Sequence, residues 1–337
     1  MTDILIFLLI TIFLTFLSRK LNLLPNFTGE NHQYFLKEKK IPLIGGILFL
    51  ISSINLFYEK NLIFCLIILT IFIIGFLSDN RIINSPKIRI FFQSLVIFIA
   101  VYSLDIQISS TRISILDKLI DIKIFGIIFC VFCLMILING SNFVDGLNGL
   151  LLGYCLIILF ILAKSDLLYL IQIEEDLLLF FFLSIVIMLF FNFFNLFYLG
   201  DGGSYSIGLV LGFLLISIYN FSNNISPFFI ILLLWYPCFE NLFSILRKNK
   251  FKNSPIVADD KHFHQLLFFY IKKRFLKNTL FSNNCSSILI NFYNLLVMLI
   301  ATSDIYSSNF QTLLITINIL VYCIIYRYLF IYRFSKK

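Results

Sequence analysis

The chain has 337 residues, a formal net charge of +8, 13% charged residues and a mean hydropathy of +0.97. A soluble domain carries roughly 25% charged residues, so a water-soluble globular fold is excluded. A length that would suggest two soluble domains instead makes one helical bundle in lipid.

The apolar runs predict membrane helices near 3–18, 43–58, 62–77, 90–104, 124–140, 149–164, 177–195, 204–220, 227–246, 286–303 and 310–331. A span needs about 20 residues, and several of these runs are shorter. The expectation is an all-α, polytopic integral membrane protein, a single transmembrane bundle over residues 1–337 with about 10–11 spans. The first run lacks a small-residue cleavage site and reads as a retained helix.

Lys and Arg sort the connections into two sets. One set comprises 19–42 (Arg19, Lys20, Lys37, Lys39, Lys40), 78–89 (Arg81, Lys87, Arg89) and the strongly basic 247–285. The other set has only Lys60, Arg112, Lys118, Lys123 and Lys164. The first set is expected to be cytoplasmic. The positive charge is therefore a topology signal with headgroup anchoring, and no nucleic-acid partner is inferred from it. The seven cysteines show no disulfide framework, and the Cys130/Cys133 pair lies inside an apolar run and reads as core.

In chain order, the first polar connection ends in Lys39-Lys40-Ile41-Pro42-Leu43-Ile44-Gly45-Gly46. Pro42 and the glycines mark a helix start. They serve either close packing or an anion-facing helix N-terminus beside two lysines. The third helix ends in Ser78-Asp79-Asn80-Arg81. Residues 105–123 alternate charged and apolar residues and read as an interfacial strand or amphipathic turn, and 165–176 reads as a solvated acidic loop.

The stretch richest in chemistry is Asn139-Gly140-Ser141-Asn142-Phe143-Val144-Asp145-Gly146-Leu147-Asn148-Gly149-Leu150. Asn139, Asn142 and Asp145 are three apart and share an arc of about 120° on a helix. Gly146 and Gly149 let the backbone leave the helix and approach a ligand. Further on, Tyr198-Leu199-Gly200-Asp201-Gly202-Gly203-Ser204 sets a carboxylate between glycines where two helices meet. The last polar connection holds His262 and His264, two residues apart. Zinc would need further His or Cys at ligand spacing, and none is close.

Asp79, Asp145, Asp201 and the histidine loop are expected on one face, because their connections belong to one topological set. Juxtamembrane carboxylates are functional candidates. Hard oxygen ligands with no thiolate cluster suit Mg²⁺, held by one or two carboxylates plus substrate phosphates. That combination points to a diphosphate-bearing substrate handled at a membrane surface.

These motifs, taken together from Lys39 to about Leu267, resemble the polyprenyl-phosphate N-acetylhexosamine-1-phosphate transferases, the initiating surface-glycan type of glycosyltransferase family 4. The family's Pro-x-x-Gly-Gly is similar to Pro42–Gly46. Its Asn-x-x-Asn-x-x-Asp-Gly-x-Asp/Asn-Gly-Leu is similar to Asn139–Leu150, and its Phe-x-Gly-Asp-x-Gly-Ser to Tyr198–Ser204, with Tyr for Phe. The family's Asp-Asp reads Ser78-Asp79 here, and its His-x-His-His reads His262-Phe263-His264-Gln265.

The resemblance implies transfer of an N-acetylhexosamine 1-phosphate from a UDP-sugar to undecaprenyl phosphate, releasing UMP. The implied setting is the bacterial inner membrane, with the site on the cytoplasmic side, at the first step of O-antigen or other surface-polysaccharide assembly. By the resemblance Asp79, Asp145 and Asp201 are catalytic, and Asp201 and Asn142 contact Mg²⁺, for which Mn²⁺ could substitute. Asn148 and Tyr198 hold the uracil. Asn139, Asn142, Lys40, His262 and His264 bind the substrate. The bilayer is a partner and a homodimer a further one. Asn148 stands where the peptidoglycan-precursor branch has a second Asp, which favours a UDP-N-acetylhexosamine over a UDP-muramoyl-pentapeptide. The alternatives are a phospho-muramoyl-pentapeptide transferase-like enzyme, an inactive homologue, as Ser78 and Gln265 would allow, and an ion-coupled transporter. For a transporter the acids should sit near mid-bilayer rather than at helix ends.

Overall fold

A computed structural model describes residues 2–25, 41–222, 224–250, 260–275 and 277–334. Lys40 lies outside the described residues. The first helices are α1 (Thr2–Lys20), α2 (Gly45–Phe57), α3 (Leu62–Asp79), α4 (Pro86–Ser103) and α5 (Ser114–Ile120). Then come α6 (Lys123–Val144), α7 (Leu150–Lys164), α8 (Glu175–Phe193), α9 (Gly200–Phe221) and α10 (Pro227–Leu233). The last are α11 (Trp235–Lys250), α12 (Phe263–Arg274), α13 (Thr279–Ala301) and α14 (Ser308–Phe334). Among the described residues there is no strand, only an isolated bridge between Pro25 and Pro42.

Eight of these helices are long and apolar enough to cross a bilayer, nine if α10 and α11 count as one bent span. The shorter apolar helices α2 and α7 account for the rest of the expected spans. Several boundaries differ from the sequence-based expectation. Residues 105–123 contain the short helix α5, with no buried residue, in place of a strand or turn. Helix α6 runs on to Val144, so Asn139 and Asn142 are helical. Helix α9 starts at Gly200, so Asp201 stands in its first turn and not in a loop before it.

The run 227–246 is not one helix. It breaks at Leu234, and α10 and α11 diverge by 77°. Pro237 is the cause, because its ring displaces the carbonyl four residues back and it has no N–H to offer. That carbonyl belongs to Leu233, and the Tyr154 hydroxyl donates to it at 2.8 Å.

Helix α9 is the axis of the bundle, and α2, α3 and α6 pack directly on it. In lipid there is little hydrophobic drive between helices, so association depends on close packing of small residues. Helix α9 supplies Gly202, Gly203, Ser204, Ser206 and Gly208, all buried. A Cβ on Gly46 of α2 would lie 2.7 Å from the Gly203 nitrogen, and one on Gly208 would lie 2.8 Å from Ile138 Cα of α6. Gly75 of α3 meets the Gly202 backbone just as closely. These contacts bring the C-terminal end of α3 and the N-terminal end of α9 together, and so bring Asp79 to Asp201.

The far end of the bundle is closed by Arg112. Its guanidinium donates to the carbonyls of Asn224, Ile225 and Tyr306 and to the Ser308 hydroxyl. The connections that Arg112 gathers belong to the set poor in basic residues, so the partition by charge matches the ends of the bundle.

Candidate active site

The glycine contacts decide the local chemistry first. Gly45 N–H donates to Tyr198 O (3.0 Å) and Gly46 N–H to Leu199 O (3.1 Å). The Gly45 and Gly46 N–H groups at the start of α2 are therefore committed to the 196–199 turn, as the packing reading of Pro42–Gly46 expects. Gly200 adopts φ +73°, a left-handed conformation that favours glycine. A Cβ at that position would also stand 2.5 Å from Asp79 Oδ2.

Asp79 is 7% exposed, and both of its oxygens are engaged. Oδ1 accepts the Asp201 N–H at 2.9 Å and Oδ2 the Gly202 N–H at 3.2 Å. A carboxylate facing the first N–H groups of a helix satisfies donors that have no intrahelical partner and complements the helix dipole. Asp79 thus caps α9 from the end of α3, and it sets the helix whose first turn carries Asp201.

Asp201 is the hub of the cluster. Oδ1 accepts from Asn142 Nδ2 at 2.7 Å. Oδ2 accepts from Ser78 Oγ (2.7 Å), Arg89 Nη1 (2.7 Å) and Tyr205 OH (3.3 Å). Arg89 Nη1 also donates to Ser78 Oγ at 2.7 Å. Asn142 Nδ2 reaches Ser204 Oγ at 3.0 Å as well. Asp145 follows α6 as its C-cap. Removal from water, and then the nearby Asp201 and Asp79 charges, push its carboxyl well above the usual carboxylate range. Arg89 pairs with Asp201 at 2.7 Å, and its charge also reaches Asp79. Among the described residues no three His, Cys, Asp or Glu side chains converge as a ready-made metal site. Asp201 and Asn142 are the residues that could hold a cation jointly with a ligand's oxygens.

Asn139, one turn earlier on α6, faces another way. Its Nδ2 donates to Met135 O (2.9 Å) and contacts Gln93 Oε1 of α4 at 3.4 Å. Gln93 is fully buried, and its own Nε2 has no hydrogen-bond partner.

Asn148 and Tyr198 meet at a second cluster. Asn148 Nδ2 donates to Asn195 Oδ1 at 2.6 Å, and Tyr198 OH donates to the same oxygen at 3.4 Å. The turn that carries Asn148 is held by amides. Asn148 N–H donates to Asn283 Oδ1 (2.8 Å) and Gly149 N–H to Asn192 Oδ1 (2.6 Å). Arg19, at the end of α1, donates to the Asn195 and Leu196 carbonyls and fixes the loop from the other side.

His262 and His264 open α12 and are buried. Gln265, in the place of a third histidine, accepts the His262 N–H at 3.2 Å and so caps the helix from its N3 position. His264 packs against Gly146, where a Cβ would collide with its ring. His262 Nδ1 lies 2.9 Å from Glu240 Oε1. The two histidines therefore adjoin the Asp145 turn, as their shared face requires.

Reasoning from sequence missed Arg89, Asn195 and Glu240. In the sequence Arg89 counts only as a topology charge. Its signal is the spacing from Gln93, four residues on along one face of α4. Glu240 carried the stronger signal, as a carboxylate inside the predicted span 227–246.

The fold and site define a polytopic helical membrane protein with a carboxylate cluster at one end of its bundle. Residues 61–219 match the model of glycosyl transferase family 4. An undecaprenyl-phosphate α-N-acetylglucosaminyl 1-phosphate transferase of Thermotoga maritima is 27% identical over 68% of this chain and 68% of its own length. Phospho-N-acetylmuramoyl-pentapeptide-transferases from two strains of Prochlorococcus marinus are each 30% identical, over 58% and 61% of this chain and 60% and 65% of their own lengths. The matched region is just under half of the chain, and over it the chain is similar to polyprenyl-phosphate hexosamine-1-phosphate transferases.

Proposed function

We propose that the protein transfers an N-acetylhexosamine 1-phosphate from a UDP-sugar to undecaprenyl phosphate at the cytoplasmic face of a bacterial inner membrane, as the first step of a surface glycan. The observation that carries this reading is the Asp201 carboxylate, held by Asn142, Ser78 and Arg89 at the mouth of the bundle. Beside it, the Asn148–Asn195–Tyr198 amide and phenol groups suit a uracil, which offers two carbonyls and one N–H at its edge and a π face.

In the proposed reaction an oxygen of the lipid phosphate attacks the sugar-bearing phosphorus of the donor. The bond from that phosphorus to the bridging oxygen breaks, and UMP leaves with that oxygen. A dianionic phosphate is a competent nucleophile near neutral pH, so no side chain has to remove a proton from it. Arg89 and the histidine loop offset charge on the diphosphate, and Asp79 keeps the first turn of α9 in place.

Asp201, and Asn142 through its Oδ1, would offer oxygen ligands to a hard divalent cation, which would compete with Arg89 for Asp201 Oδ2. Bound there, Mg²⁺ or Mn²⁺ would neutralise charge on the diphosphate and the leaving UMP. Among the described residues no three His, Cys, Asp or Glu side chains converge there, so substrate and water would supply the remaining ligands of such a cation.

A second reading, transfer of phospho-N-acetylmuramoyl-pentapeptide, is favoured by the two Prochlorococcus relatives. Radiolabel transfer to undecaprenyl phosphate by purified protein, with a panel of UDP-N-acetylhexosamines and UDP-muramoyl-pentapeptide, separates the two. Transfer from a hexosamine donor supports the first reading, and transfer from the pentapeptide donor alone replaces it with the second. No transfer from any donor, with the protein folded, sinks both and leaves an inactive homologue.

A further inference from the structure

Glu240 stands just past the Pro237 bend and is 1% exposed. A lone buried carboxylate is costly, and its charge persists only where donors replace water. Here they do. Oε2 accepts the Tyr322 hydroxyl of α14 at 2.7 Å, and Oε1 accepts the Phe263 N–H at 3.2 Å. The peptide N–H can only donate, which marks Glu240 as an acceptor. With Glu240 as a carboxylate, which has no proton to give, His262 Nδ1 at 2.9 Å from Oε1 donates the third bond. The imidazole lies 5.1 Å from the Phe143 ring and 5.6 Å from the nearly parallel His264 ring, measured between centroids. His264 in turn meets Gly146, the residue after Asp145, so the histidine pair adjoins the turn that carries that carboxylate.

We propose that Glu240 is a positioning residue for His262, holding the ring through its Nδ1–H so that the Nε2 edge faces the donor diphosphate, to which Nε2 donates when it is protonated as well. This rests on the transferase reading above. A second group that holds one ring nitrogen sets both the tautomer and the ring's orientation. The bend at Leu234 is what makes the arrangement possible. A straight continuation of α10 would carry Glu240 elsewhere, whereas the 77° turn goes with its place against the start of α12. The competing explanation is purely structural, with Glu240 only stapling α11 to α12 and α14.

Two measurements decide between them. The protein has three histidines, His32, His262 and His264, so histidine-selective ¹⁵N labelling gives few signals, and His262→Gln assigns the relevant pair. In wild-type protein the His262 Nδ1 signal should be that of a protonated nitrogen, and Glu240→Gln should shift it. An unprotonated Nδ1 in the wild type overturns the proposal whether or not transfer occurs. That keeps its failure distinct from failure of the transferase reading, which is an inactive wild type.

The second measurement is a double-mutant cycle on turnover. Glu240→Gln keeps an acceptor oxygen and removes the charge. It should lower kcat about 30-fold or more, with the KM for undecaprenyl phosphate within about twofold of wild type. Added to His262→Gln, it should cost nothing further. If the two losses multiply, or if Glu240→Gln turns over at the wild-type rate, Glu240 does not act through His262. Should Glu240→Gln not fold, Glu240→Asp, which keeps the charge on a shorter stem, enters the same cycle with the same two outcomes.

Discussion

Asp201 and Asp79 carry the same charge side by side and do different work. Asp201 faces the mouth of the site with four side chains bonded to it, and Asp79 is consumed by two backbone N–H groups. Asp201→Asn keeps the size and removes the charge. It should lower transfer by at least about 100-fold, the order seen when one preorganised electrostatic group is lost, and flatten the dependence of rate on Mg²⁺ or Mn²⁺ concentration. Near-wild-type rate and metal dependence would remove Asp201 from the chemistry. Asp79→Asn leaves one acceptor oxygen and turns an amide N–H₂ toward a backbone donor. It should lower stability by about 0.5–2 kcal/mol, the range for a lost cap, read from thermal unfolding in detergent. Lost turnover at unchanged stability would instead give Asp79 a direct part in the reaction. Ser78, where the family has an acid, bridges Arg89 and Asp201 as a neutral hydroxyl, so one charge fewer is packed against them.

At the level of elements, the site depends on how closely α2 and α3 approach α9. The glycines at 46, 75, 202 and 203 allow that approach, and every one of them faces backbone or a ring that cannot retreat. Gly46→Ala should cost about 1–3 kcal/mol, the usual penalty for overpacking. Because α2 also holds the 196–199 turn through Gly45 and Gly46, the same variant should weaken UDP binding measured by calorimetry. A stable Gly46→Ala protein with unchanged UDP affinity would show that the α2–α9 contact does not set the site. The bent pair α10–α11 has the opposite logic. Pro237 breaks a helix, and Tyr154 satisfies the carbonyl that the break releases.

Across the whole molecule, the two ends of the bundle differ in charge and in work. One end gathers Arg112 and the loops around it, and the other gathers the carboxylates, amides and histidines. By the excess of Lys and Arg, the second end is the one proposed to face the cytoplasm. With the seven native cysteines removed, Asn84→Cys and Ser109→Cys, both at exposed positions, should react with an impermeant thiol reagent from opposite sides of the membrane. Asn84 should react only from the cytoplasmic side. Reaction of both from one side, or Asn84 from outside, would reverse or break the orientation.

The sequence alone determined the class of protein and the face on which its acids lie. Hydropathy is a local property that sets spans, and the charge of each connection sets its side, so Asp79, Asp145, Asp201 and the histidine loop could be placed together without any knowledge of packing. Motif spacing also put Asn139 and Asn142 on one arc of α6. What each of these residues touches was decided only by tertiary structure. Asn139 turned to Gln93 and Asn142 to Asp201 because α4 and α9 pack on different sides of α6. Asp79 became a cap because two glycine-lined helices pack side by side and antiparallel, with the end of α3 beside the start of α9. Glu240 reached His262 because a proline bent one predicted span into two helices. Such partners lie dozens of residues apart in the chain, and no local pattern of polarity records which helices approach closely enough for their side chains to meet.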